Sequence, residues 1–225
     1  MMKYLIPSIA KYGYKERGKS SDFEIVRKAP NGTDIILGGI DDYGSEQQIV
    51  YGVGKSDNRI TDILKSLEKS TRLLSPPISS KSLTISFSYS TLNGLNNPVY
   101  LPDMKDEGDI EKNARLIVEF LETKAQPLLE KFNDLREIDK IINGDAPWES
   151  DSNMPFRFSS YFNFIRLIVA RLAGNEKFDF LVDFTYSKIE KDLIEQGNPL
   201  VIDRTNITKP LPGLIEILSK KAPIY

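Results

Sequence analysis

From Ser82 to Ser90 the chain reads SLTISFSYS, and every second residue is apolar. A period of two predicts a strand whose side chains point alternately to opposite faces. Leu83, Ile85 and Phe87 then form a buried face, with Thr84, Ser86 and Ser88 on a wet one. Three runs upstream also predict strands: DFEIVRK at 22–28, TDIILGG at 33–39 and EQQIVYGVG at 46–54. APNGT joins the first two, and its Asn-Gly pair favours a tight hairpin. Short connections among all three favour antiparallel pairing.

Elsewhere the period is helical. Leu5, Ile9 and Tyr12 fit a short amphipathic helix at the start of the chain. Ile60, Ile63, Leu64 and Leu67 share one stripe over 58–73, with Asp57 or Asn58 placed to accept an early backbone N–H. From about residue 107, Ile110, Ala114, Ile117, Val118, Leu121 and Ala125 recur every three or four residues. Pro127 has no N–H to donate, so it predicts a kink or restart before Leu128, Leu129 and Phe132 resume the stripe. Helices over 159–173 and 176–195, parted by Gly174-Asn175, and a short one over 211–220 complete the pattern.

This order predicts an α+β fold: an N-terminal helix, an antiparallel sheet of about four strands with one inserted helix, then a mostly helical C-terminal half. A chain of 225 residues suits a single compact unit over 1–225. A change of composition near residue 105 offers a subdivision into a sheet region, 1–104, and a helical region, 105–225.

Composition narrows the chemistry. The chain has no cysteine and no histidine. Disulfides, thiol nucleophiles, Ser-His-Asp hydrolysis and His-ligated zinc are therefore excluded. Residues 1–100 carry 13 Lys and Arg against 10 Asp and Glu, and the remainder 17 against 22, so neither half has the basic field expected of a nucleic-acid binder. No segment approaches the roughly 18 to 20 apolar residues of a membrane span. The N-terminal apolar stretch, broken by Pro7, falls short of a signal-peptide core. The expectation is a cytoplasmic protein with neither nucleic-acid nor membrane partners.

Several stretches invite a chemical reading. Gly52-Val53-Gly54-Lys55-Ser56 ends like a phosphate-binding loop, but the early glycine that loop needs would stand at Ile49. A β-branched residue disfavours the backbone angles that curl N–H groups around phosphate. A strand end is expected instead, with no nucleotide site and with Lys55 on the surface, where Lys55→Ala is nearly neutral. Asp183 in FLVDF follows apolar residues, yet its spacing is helical. The acidic DMKDEGDIE at 103–111 fails as a calcium loop, because its third position is Lys105. It reads as a helix N-terminus, where carboxylates complement the dipole. No metal and no cofactor is expected.

Asp41 and Asp42, with Glu46, occupy a glycine-containing turn by this reading and are the best-placed carboxylates for an enzyme. Lys11, Lys15, Arg17 and Lys19 interleave with Tyr12 and Tyr14, a nucleic-acid-binding pattern, but Glu16 and Asp22 lie close by. Trp148, the single tryptophan, sits in a polar loop beside Glu149 and Asp151. An exposed Trp there would anchor a protein partner, and its acidic neighbours would suit a basic one. The competing reading has Trp148 buried and pinning its loop.

The stretches KYGYKERGKSSDFEIVRK and QPLLEKFNDLREIDKII are similar to uncharacterised bacterial families that open with a helix, a Gly-aromatic pair (here Gly13-Tyr14), a hairpin and a third strand. Some of those families resemble cytoplasmic immunity proteins encoded beside bacterial toxins. The resemblance covers about the first two-thirds of the chain, brings no catalytic motif and implies a binding role. Residues and resemblance together point to a non-catalytic cytoplasmic protein that binds another protein, with Trp148, Glu149 and Asp151 as its contact residues. The alternative is a carboxylate-dependent enzyme.

Overall fold

The computed structural model describes residues 1–17, 23–42, 47–71, 83–92, 106–144, 162–195 and 210–225. The chain is α+β. Helix α1 (Met2–Ile9) leads into β1 (Lys15–Glu16), β2 (Phe23–Ala29), β3 (Gly32–Asp42) and β4 (Gln47–Asp57). Helix α2 (Asn58–Thr71) is inserted before β5 (Ile85–Ser88) and the single turn α3 (Tyr89–Leu92). The rest is helical: α4 (Glu107–Phe120), α5 (Gln126–Lys131), α6 (Leu135–Ile142), α7 (Phe162–Ala173), α8 (Phe178–Glu195) and α9 (Pro210–Ser219). Contacts gather these elements into two compact units, neither of them continuous in sequence.

The first unit holds α1, the sheet, α3, α4 and α5. Its five strands form an antiparallel meander in the order β1-β2-β3-β4-β5. Four of them follow from the sequence pattern, while β1 has two residues, too few to show a period. The register stacks side chains in rows across the sheet. Ile25, Ile36, Val53 and Phe87 are direct neighbours in one row, and all four are buried. The Phe87 ring stacks on Phe132 with centroids 5.5 Å apart, so the helical segment 107–132 covers this face. Tyr51 meets Phe120 edge-on at 5.3 Å, a favoured geometry for aromatic quadrupoles.

Pro127 does not stop that segment. Residues Leu121–Ala125 widen into a π turn in which the Gln126 N–H reaches back five residues to the Leu121 carbonyl. The wider turn absorbs the proline's missing donor. Leu121, Ala125, Leu129 and Phe132 all remain buried, so the predicted stripe runs through the irregularity.

The second unit holds α2 and α6 to α9. The stripe Ile60, Ile63, Leu64, Leu67 of α2 is buried, as its spacing predicts. Helix α7 is buried at every position from Phe164 to Ala170. It ends at Gly174, whose φ of +73° is open to glycine at little cost. The Asn175 N–H closes the turn onto the Ala170 carbonyl at 2.9 Å. Arg171 Nε donates to the carbonyls of Leu218 and Lys221 (3.1 and 2.8 Å), tying α7 to the end of α9.

Candidate functional site

The GVGKS stretch is an unbroken part of β4. Gly52 and Gly54 have no positive φ, and the strand pairs with β3 on one side and β5 on the other. Both edges of the strand are therefore engaged in sheet pairing, not curled around a phosphate. Gly54 is needed for a different reason: a Cβ there would lie 2.8 Å from the Ile85 carbonyl oxygen.

Lys55 is not on the surface. Its relative exposure is 0%, the opposite of what the residue type suggests. Register explains why. Arg27 on β2 stands opposite Asp34 on β3, and Asp34 stands opposite Lys55 on β4. Lys55 Nζ donates to Asp34 Oδ1 at 2.7 Å. Arg27 donates to Asp34 Oδ2 through Nη2 at 2.7 Å and Nε at 3.1 Å. Each oxygen of the buried Asp34 carboxylate thus has its own cation. Glu130 lies 3.7 Å from Arg27 Nη1, bringing the formal charge of the group to zero. Burial, the largest single effect, draws the Arg27 pKa down, but the bonds to Asp34 together with the charges of Tyr14, Asp34 and Glu130 outweigh it and the net shift is upward. The Tyr14 ring lies 5.0 Å from the guanidinium, and burial raises that phenol's pKa.

Lys55 Nζ also donates to the Leu129 carbonyl at 3.2 Å. Leu129 is in the last turn of α5, where carbonyls lack helical partners and a cation is favoured. The lysine is therefore a clasp between the sheet and the end of α5, and its N–H groups serve structure. A second buried polar group joins α6 to α7: Arg166 Nε donates to Asn143 Oδ1 at 3.1 Å, and Asn143 Nδ2 to Asp139 Oδ1 at 2.8 Å. Asp139 Oδ2 accepts from Asn175 at 2.7 Å.

The remaining candidates are scattered. Asp41 and Asp42 belong to β3, opposite Gln48 and Gln47, and not to a turn; Glu46 lies outside the described residues. Asp106 caps α4 by accepting the Asp109 N–H at 2.9 Å, which is the helix-start role expected for the acidic stretch. Lys11 and Tyr12 both bind Glu122, at 3.2 and 2.5 Å, and Arg17 pairs with Glu24. Thr84 departs from the predicted wet face. It is buried, and its Oγ1 accepts the Asp57 N–H at 2.9 Å, because β4 still runs beside it just before β5 begins. Trp148, Glu149 and Asp151 lie outside the described residues.

No family model, curated protein or solved structure matches this chain. No helix among the described residues is long and apolar enough to cross a membrane. The described surface carries a further feature.

There the outer face of α8 stands out. Phe180 is 56% exposed and Tyr186 36%, two of the five large apolar side chains exposed among the described residues. Asp179 and Asp183 are exposed beside them. At 100° per residue, Asp179, Asp183 and Tyr186 form one row, and Phe180 and Phe184 the row beside it. The two phenylalanine rings are 6.4 Å apart. Leu181 and Thr185 face inward. Helical spacing around Asp183 was visible in the sequence, but FDFLVDFTY alternates too little between polar and apolar to reveal which rings point out.

Proposed function

We propose that the chain is a cytoplasmic protein that acts by binding another protein, without catalysis of its own. The observation that carries this reading is the pair of exposed aromatic residues on one face of α8. Single exposed apolar residues are ordinary, but rings grouped on one rigid helix supply the anchors that protein interfaces use. The commitment of Lys55 and Asp34 to each other and to the end of α5 also favours a structural role for the one lysine that resembles a catalytic motif. The resemblance to immunity proteins agrees with a binding role. In sequence, Trp148 with Glu149 and Asp151 repeats the combination of ring and carboxylate seen on α8.

Site-specific photocrosslinking in the native host tests the reading. A photoreactive phenylalanine analogue placed at position 180, and separately at 148, should give a discrete adduct that the same analogue at the exposed Lys140 does not. The partner, identified by mass and purified, should bind the wild-type chain and bind Phe180→Ala more weakly, with the variant's melting temperature unchanged. If position 180 gives no adduct beyond that from position 140, the binding role at α8 is wrong.

A further inference from the structure

We infer that the α8 face takes a cationic amphipathic segment of its protein partner. This inference rests on the binding role proposed above and adds the chemistry of what is bound. Over Phe178–Glu195 the helix carries five carboxylates and two lysines, a net charge of −3. Asp179 and Asp183 are exposed, and among the described residues neither is engaged in an ion pair. Two free carboxylates therefore lie along one row, with the exposed Phe180 and the half-buried Phe184 along the next.

That juxtaposition selects its ligand. A lysine or arginine can set its charge against the carboxylate row, and a guanidinium can in addition lie over the adjoining ring. Apolar residues one helical turn away on the same ligand would meet Phe180 and Phe184. An acidic segment, a nucleic-acid backbone or an anionic lipid surface would bring like charge against Asp179 and Asp183, which disfavours all three. The carboxylates would raise the rate of encounter and set the choice of partner, while the rings supply most of the contact area.

The test uses the full chain and two short synthetic amphipathic peptides with identical leucine positions. One carries lysine and arginine at its polar positions and the other glutamate. Affinities are measured by fluorescence anisotropy over a range of salt. The cationic peptide should bind, and more weakly as salt rises. Binding should fall by roughly tenfold or more in Phe180→Ala and in Asp179→Lys/Asp183→Lys. Circular dichroism checks that each variant folds; if the lysine variant does not, Asp179→Asn/Asp183→Asn replaces it. Binding of the glutamate peptide with loss in Phe180→Ala overturns the cationic inference and leaves the binding role standing. Cationic binding that is equal in wild type and all variants places the contact elsewhere and overturns the inference. If neither peptide binds, the inference also falls, and crosslinking at position 180 then decides separately whether the binding role falls with it.

Discussion

Lys55→Ala should be one of the most damaging single substitutions in the chain. Three losses combine at one atom. The Asp34 carboxylate, 1% exposed, keeps Arg27 but loses the ammonium at 2.7 Å. The Leu129 carbonyl loses its donor at the end of α5. The three methylenes beyond Cβ, lost with the ammonium, leave a void against the sheet. Breaking a buried ion pair by removing one partner typically costs about 3 to 5 kcal/mol. That is a large share of a folding free energy of about 5 to 15 kcal/mol. Lys55→Met separates the contributions, since it keeps most of the volume and removes the charge. It should still lose about 3 to 5 kcal/mol, because the same buried ion pair is broken, and the further loss in Lys55→Ala is then the cost of the void. Urea unfolding followed by circular dichroism gives both values, and the Asp34→Ala/Lys55→Ala cycle should return a coupling of about 0.5 to 3 kcal/mol. A Lys55→Ala protein within about 0.5 kcal/mol of wild type would match an exposed lysine and would refute the clasp.

Three further expectations follow from particular contacts. Phe87→Ala, which empties a site stacked on Phe132, should cost about 3 to 5 kcal/mol, whereas the half-buried Ser86→Ala should cost far less in the same urea assay; equal losses would contradict the two-faced strand. Thr84→Val keeps the shape but removes the acceptor for the buried Asp57 N–H, and should cost about 1 to 3 kcal/mol; no loss would show that this bond is not made. Arg136 holds the Asp134 carboxyl down at about 2, chiefly through the hydrogen bond between their side chains. A depressed carboxyl stabilises the fold above its unfolded value of 3.8, and that contribution fades as pH falls toward 2. Asp134→Asn retains the cap on the Arg136 N–H and loses the charge, so its melting temperature should lie slightly below wild type at neutral pH and converge with it between about pH 4 and pH 2. Parallel curves across that range would exclude the linkage.

What the sequence made legible was whatever is local. The alternation of Ile85 with Phe87 and the stripe from Ile60 to Leu67 each report their own burial, because period and element lie in the same few residues. The same logic carried the stripe across Pro127, although no pattern announces that the irregularity is a π turn. The failures are nonlocal. Alternation alone places Thr84 toward water, yet its partner Asp57 is 27 residues away. Residue type alone places Lys55 on the surface, yet the partners that bury it lie far off, Asp34 21 residues away and Leu129 74. In α8 the spacing gave the helix, while the choice between inward and outward rings depended on neighbours that the sequence does not show.

The GVGKS stretch brings the two kinds of information together. The missing glycine at Ile49 was enough to argue against a phosphate loop, because that loop depends on local backbone angles and on free N–H groups. It was not enough to place the lysine. Once the segment is a strand, its position within the sheet decides the fate of Lys55. On an uncovered face of the sheet the side chain would reach water. Between β3 and β5, with Asp34 opposite and the end of α5 across the face, burial becomes tolerable because both an anion and a helix-terminal carbonyl are fixed within reach. The features that remove this lysine from chemistry are therefore the ones that make it structural.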